Sequence, residues 1–159
     1  KNLTSFDKSF GGASASYVNA FPVHENYVDA IKIYKQGRLG EDEHVAATAS
    51  RDKSIGIWNI VTGACLVRLT GHENWVRDLA LLESYNLLLS VGDDKSLRIW
   101  DLKRRKQVYH EVNAHDHFVD AIVVHKEFRV VLTGSVDKTT KIWKLINSDS
   151  SEFMRSAYS

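Results

Sequence analysis

The stretch Arg51-Asp52-Lys53-Ser54-Ile55-Gly56-Ile57-Trp58 returns twice in the same chain, as Asp93-Asp94-Lys95-Ser96-Leu97-Arg98-Ile99-Trp100 and as Val136-Asp137-Lys138-Thr139-Thr140-Lys141-Ile142-Trp143. Each tryptophan follows an aspartate by six positions, and the tryptophans stand 42 and 43 residues apart. That is the roughly 40–45-residue period of a four-stranded propeller blade. A histidine opens each unit: His24, His72 and His115. It precedes the aspartate by 22 residues in the second and third units and by 28 in the first. The six extra residues fall within Lys35 to His44, a polar stretch that reads as a longer hairpin loop.

The apolar pattern between these landmarks is that of strands. After each histidine come Val28, Ile31 and Ile33; Val76, Leu79 and Leu81; Val119, Ile122 and Val124. A step of three followed by a step of two marks a strand with one bulged residue, which restores the inward face. Before each aspartate the period is two: Val45, Ala47, Ala49; Leu87, Leu89, Val91; Val130, Leu132, Gly134. The Asp-Lys turn leads into the tryptophan strand. A weaker fourth strand precedes each next histidine at Cys65 to Leu69 and Val108 to Val112, and Tyr17 to Phe21 occupies the same place before His24. The expected fold is all-β: three four-stranded antiparallel blades over residues 16–60, 61–102 and 103–146. Residues 1–15 read as a decayed remnant of a preceding blade, and the Ser-rich residues 147–159 read as a disordered tail.

Four residues upstream of each aspartate stands a hydroxyl: Thr48, Ser90 and Thr133. Histidine, hydroxyl, aspartate and indole can therefore form one hydrogen-bonded chain in each unit: His24, Thr48, Asp52, Trp58; His72, Ser90, Asp94, Trp100; His115, Thr133, Asp137, Trp143. A histidine–serine–aspartate set also suits a hydrolase, but a catalytic triad is normally unique whereas this set recurs. The structural reading is preferred, with no catalytic residue and no metal or other cofactor expected. His115 and His117 flank Asp116 without a further ligand cluster, and no Gly-rich phosphate loop or nucleophile elbow occurs.

Composition sets the remaining bounds. The chain has 159 residues, 43% hydrophobic and 26% charged, in the ordinary range of globular domains. Its 21 basic and 20 acidic residues leave a net charge of +1, so no strong field draws it to nucleic acid or an anionic membrane. One cysteine, Cys65, cannot form an internal disulfide, which suits a reducing compartment. No apolar run approaches the roughly 20 residues of a membrane-spanning helix. The basic run Lys103 to Lys106 reads first as a solvated loop.

Ser50 to Leu82, Gly92 to Lys106, Asn113 to Val119 and Thr133 to Trp143 together resemble the last three blades of the lissencephaly-1 family of WD-repeat β-propellers, in order and nearly without gaps. The similarity covers residues 16–145 or thereabouts. It implies a non-catalytic interaction protein that regulates the microtubule motor dynein by docking on its motor domain, in the cytoplasm and at the cytoskeleton and centrosome. It also implies association with the catalytic subunits of a lipid acetylhydrolase. Members of that family carry seven blades behind a dimerising helical motif; the first four have no counterpart here. Three blades fall short of a closed ring, so the end sheets should expose apolar faces open to self-association.

Propellers bind partners on the face formed by the Asp-Lys turns and the starts of the first strands. Tyr27, Asp29, Trp75, Arg77, Phe118 and Asp120 flank those starts, and Arg51 and Asp93 precede the turn aspartates. Aromatic residues interleaved with arginine suit a protein-binding rim. The resemblance implies that Arg51, Trp75 and Lys95 contact the motor, with Trp75 on an apolar patch and Arg51 and Lys95 on acidic groups. Two other readings remain: a substrate-recruiting adaptor, or a truncated relative with no binding of its own.

Overall fold

The structure is a computed structural model that describes residues 20–36, 43–145 and 154–156. Three antiparallel sheets stand side by side. The first holds β1 (Val28–Gln36), β2 (Glu43–Ser50), β3 (Ser54–Asn59) and β4 (Cys65–Thr70). The second holds β5 (Val76–Leu82), β6 (Leu87–Gly92), β7 (Leu97–Asp101) and β8 (Lys106–Glu111). The third holds β9 (Val119–His125), β10 (Val130–Ser135), β11 (Thr140–Leu145) and β12 (Met154–Ser156). Strands pair in chain order within each sheet, and the first strands β1, β5 and β9 lie next to one another. The bulges fall where the step of three requires them: registers shift between Val28 and Ala30, between Val76 and Asp78, and opposite Gly134 and Ser135. Among the described residues no helix is long and apolar enough to span a membrane.

The sheets are offset from the units 16–60, 61–102 and 103–146. Cys65–Thr70, inside the second unit, pairs with β3 of the first, with Ser54 opposite Thr70, and Lys106–Glu111 likewise closes the second sheet. The physical reason is the open edge of each tryptophan strand, whose free N–H and C=O groups are met by the chain that follows it. The same edge corrects the reading of the tail. Met154–Ser156 pairs with β11, Leu145 opposite Met154, so composition alone misjudged these three residues. Residues 1–15, the expected strand from Tyr17 to Asn19 and the hairpin residues 37–42 lie outside the described residues; Ala20 and Phe21 are not in a strand.

Burial separates the middle sheet from its neighbours. Two apolar clusters fill the two gaps between sheets. In one, Val45, Ala47, Ala49, Ile55 and Ile57 meet Leu79, Leu88 and Trp100. In the other, Leu89, Val91, Leu97 and Ile99 meet Val119, Ile122, Val131 and Trp143. Among the described residues only the second sheet is covered on both faces, so Leu88 and Leu89, adjacent in β6, are both fully buried. The outer faces behave otherwise. Ile31 and Ile33, which occupy the places of Leu79 and Leu81, are 59% and 64% exposed, and Val28 is exposed too. In the third sheet Val130, Leu132 and Gly134 are only half-buried, while Val131 and Thr133 on the opposite face are buried. Among the described residues, the inward positions read from the sequence at these two ends face no neighbouring sheet.

Candidate functional site

Each histidine, hydroxyl, aspartate and indole meet at one end of their sheet. In the second sheet Trp100 Nε1 donates to Ser90 Oγ (2.8 Å), Ser90 lies 2.7 Å from His72 Nε2, and His72 Nδ1 lies 2.8 Å from Asp94. One proton arrangement satisfies all of these: the Ser90 hydroxyl donates to Nε2, and Nδ1–H donates to the carboxylate. Asp94 also accepts the Glu73 N–H and the Ser96 hydroxyl. The first sheet repeats this with Trp58, Thr48, His24 and Asp52 at 2.8, 2.7 and 2.8 Å. The third repeats it with Trp143, Thr133, His115 and Asp137 at 2.8, 2.7 and 2.9 Å.

The charge state follows from the surroundings. Burial drives His72 below its ordinary pKa and keeps it neutral despite the neighbouring carboxylate. Burial pushes Asp94 upward, but hydrogen bonds from His72, Ser96 and the Glu73 N–H outweigh it, and its pKa lies well below the usual carboxylate range. Asp52 follows the same balance, with hydrogen bonds from Ser54, His24 and two backbone N–H groups outweighing burial. Thr139 is the main cause of the lowered Asp137. Ser90 is fully buried under Trp100, so its oxygen reaches no substrate. Chemically the set is a clamp that ties the second and third strands of each sheet to the turn between them and to the loop before the first strand.

A cation stands at each clamp, and in the first two sheets it reaches the turn aspartate. Arg98 of β7 lies 3.7 Å from Asp94 and donates to Ser96 and Gln107. The matching residue of the first sheet is Gly56, whose cross-strand partner Arg68 reaches Asp52 (3.1 Å) and Ser54 (2.9 Å) instead. Lys141 holds the place in the third sheet and donates to the Ala114 carbonyl (2.7 Å). Gly56 must stay small, since a Cβ there would collide with the Trp58 indole.

The aromatic rim sits at the same end. In every sheet the residue before the turn aspartate donates its N–H to the carbonyl of the aromatic at the first strand's start: Arg51 to Tyr27, Asp93 to Trp75, and Val136 to Phe118. That bond brings their side chains side by side. A ladder results: the Arg51 guanidinium lies 4.8 Å from the Tyr27 ring centre and 4.6 Å from that of Trp75, and the Arg77 guanidinium lies 4.8 Å from the Trp75 ring centre as well. Two carboxylates lock it. Arg51 Nε donates to Asp29 (3.0 Å), and Arg77 makes a bidentate pair with Asp93 (2.6 and 2.9 Å) and approaches Asp29 at 3.7 Å. The Asp93 pair holds the Arg77 pKa above its ordinary value, with Asp29 and Asp120 adding to the effect.

Tyr27, Asp29, Arg51, Trp75, Arg77 and Asp93 therefore form one cluster across the first two sheets. Its two arginines and two aspartates balance, so Arg51 is held by groups of its own chain. Tyr27 is 69% exposed, Trp75 half-buried and Asp93 buried. The ladder stops at the third sheet, where exposed Val136 stands in the place of Arg51 and Asp93. Phe118 packs edge-on against His117 instead, and Asp120 is exposed. Lys95 lies outside the ladder, exposed and left-handed (φ 65°), like Lys53 and Lys138 in the matching turns. The internal pairing of the arginines was missed by the sequence reading, because partners 22 and 16 positions apart meet only once their strands pair.

Four-stranded sheets tied by a histidine–hydroxyl–aspartate–indole clamp and carrying aromatic starts on one rim are the signature of the WD-repeat β-propellers. The family described as "WD domain, G-beta repeat" matches residues 15–59, 63–101 and 106–144, and the chain belongs to it as a partial propeller of three sheets. Within that family it is similar to Lissencephaly-1 homolog 1 of Paramecium tetraurelia, 41% identical over 64% of this chain and 25% of that protein. It is also similar to the nuclear distribution protein PAC1 of Yarrowia lipolytica, 34% identical over 76% of this chain and 30% of that protein. PAC1 of Ajellomyces capsulatus is 46% identical over a shorter stretch, 48% of this chain and 17% of that protein. The chain thus spans less than a third of the length of these relatives.

Proposed function

We propose that this chain is a non-enzymatic docking module of the lissencephaly-1 type, which regulates the microtubule motor dynein by binding its motor domain in the cytoplasm. The observation that carries the reading is the Tyr27–Arg51–Trp75–Arg77 ladder: two aromatic rings presented on one rim and fixed by two salt-bridged arginines. Rings held in place before binding lose little entropy on docking, which favours them as anchors. Trp75 supplies apolar contact, Lys95 supplies a positive charge from an exposed turn, and Arg51 acts chiefly by holding the rings. Regulation then follows if the surface binds one motor conformation more tightly than another. The buried Ser90 supports a role without catalysis.

The test is a pull-down of the purified chain against a dynein motor domain, with Trp75→Ala and Lys95→Ala beside the wild type and circular dichroism to verify folding. Truncating an anchor of this kind costs about 2 kcal/mol or more, roughly a 30-fold loss of affinity. Unchanged binding by a folded Trp75→Ala protein would assign the contact elsewhere. No binding by the folded wild type would leave this chain without the motor as a partner.

A further inference from the structure

The end of the sheets opposite the aromatic ladder carries a second surface of different chemistry. Its turns are Glu83–Asn86 between β5 and β6, Leu102–Arg105 between β7 and β8, and Lys126–Arg129 between β9 and β10. Contacts between the turns join them into one surface. The Leu102 N–H donates to the Asn86 carbonyl (2.9 Å), Lys126 pairs with Glu83 (3.5 Å), and the Arg129 guanidinium lies 5.1 Å from the Tyr85 ring centre. Arg105 reaches back to the Leu66 carbonyl of the first sheet.

Charge is concentrated there. The run Lys103 to Lys106 with Lys126 and Arg129 provides six cations, against the carboxylates of Glu83, Asp101 and Glu127. The excess of three exceeds the +1 of the entire chain, so the remaining residues together are net acidic. Two of the carboxylates are already engaged, Asp101 with Arg104 and Glu83 with Lys126, while the Lys103 and Lys106 ammonium groups are exposed and unpartnered among the described residues. Two rings stand among these charges. Phe128 is 71% exposed and Tyr85 45% exposed, and each has one face covered, Phe128 by His125 at 4.6 Å and Tyr85 by Arg129. An exposed phenyl ring stacked on a neighbour, at the same end of the sheets as unshared ammonium groups, fits a ligand with both carboxylates and apolar side chains.

We propose that this surface binds an acidic peptide segment, with glutamate or aspartate residues on Lys103, Arg104 and Lys106 and an apolar side chain against Phe128. The interspersed carboxylates favour a peptide over a nucleic acid, because a phosphate chain places a charge at every step and would meet them. The site is separate from the aromatic ladder and does not depend on the function proposed for it.

Fluorescence anisotropy with a fluorescein-labelled glutamate-rich peptide carrying leucines at intervals tests the proposal, at low and at moderate salt. The expected result is saturable binding that weakens with salt and falls about tenfold in Lys103→Glu/Arg104→Glu. Phe128→Ser should cost about threefold, Lys106→Glu should weaken binding as well, and Trp75→Ala should leave it unchanged. Circular dichroism verifies that each variant is folded. The proposal is overturned if the glutamine version of the peptide binds equally well, if oligouridylate binds more tightly than the peptide, if no saturable binding occurs, or if Trp75→Ala abolishes it.

Discussion

The guanidinium of Arg51 lies 4.6 Å over the ring of Trp75, and the two residues belong to different sheets. The contact is therefore a strap between sheets as well as part of a binding rim. Cation–π contacts at partly exposed sites are worth about 0.5–1 kcal/mol each, and Arg51 makes two while also engaging Asp29. Arg51→Ala should lower stability by about 1–2 kcal/mol, read from urea unfolding followed by tryptophan fluorescence. A double-mutant cycle with Trp75→Ala should return a coupling of at least several tenths of a kcal/mol. Additive effects would mean that the contact carries no energy.

Removing the central hydroxyl of a clamp should cost more. Ser90→Ala would leave His72 Nε2 and Trp100 Nε1 buried without partners, a loss of about 2–6 kcal/mol at about 1–3 per orphaned group. Ser90→Thr should be far milder, since Thr48 and Thr133 fill the same place in the neighbouring sheets. Chemical denaturation of both variants decides the matter; equal losses would refute the hydroxyl's role.

Acid should destabilise the fold in two stages. The pKa of His72 is lowered by burial, so the unfolded chain takes up a proton near pH 6.5 while the folded chain resists it. Its contribution is complete above that pH and declines below it, with a slope approaching about 1.4 kcal/mol per pH unit. The lowered Asp52, Asp94 and Asp137 contribute above their unfolded pKa near 4, and that share is lost as the pH falls further. Unfolding midpoints measured from pH 7.5 to 3 should drop first below about pH 6.5 and again below about pH 4. A midpoint flat down to pH 4 would exclude the first stage.

Two strand glycines should respond in opposite ways. A methyl group at Gly56 would run into the Trp58 indole, whereas at Gly134 the nearest atom is the Ala121 Cβ at an ordinary 3.8 Å. Gly56→Ala should destabilise by about 1–3 kcal/mol, and Gly134→Ala should be neutral or stabilise by about 0.5 kcal/mol through lost unfolded-state entropy. Thermal melts of the pair distinguish them.

Ile31 and Ile33 offer a test of the open face. If no sheet covers them, Ile31→Lys/Ile33→Lys should change stability by less than about 0.5 kcal/mol and reduce concentration-dependent association in sedimentation velocity. A large loss of stability would mean that this face is packed in solution.

The sequence by itself determined the repeat, the antiparallel sheets, the bulge in each first strand and the membership of each clamp. It could do so because these depend on local periodicity and on residue types recurring at fixed spacing, and three copies in one chain made them visible. The tertiary structure decided what spacing cannot encode. It joined Cys65–Thr70 to the sheet before it and Met154–Ser156 to β11, because an open strand edge takes whichever segment can reach its free backbone groups. It left Ile31 and Ile33 exposed although their pattern matches buried Leu79 and half-buried Leu81, since burial depends on a neighbouring sheet and not on the strand alone. It paired Arg51 with Asp29 and Arg77 with Asp93, turning charges that appeared ready for a partner into the frame that holds Trp75. Each ion pair forms where two paired strands of one sheet end, and packing of the first sheet against the second then sets Arg51 on Trp75 and Arg77 within 3.7 Å of Asp29, a long-range event that spacing does not show.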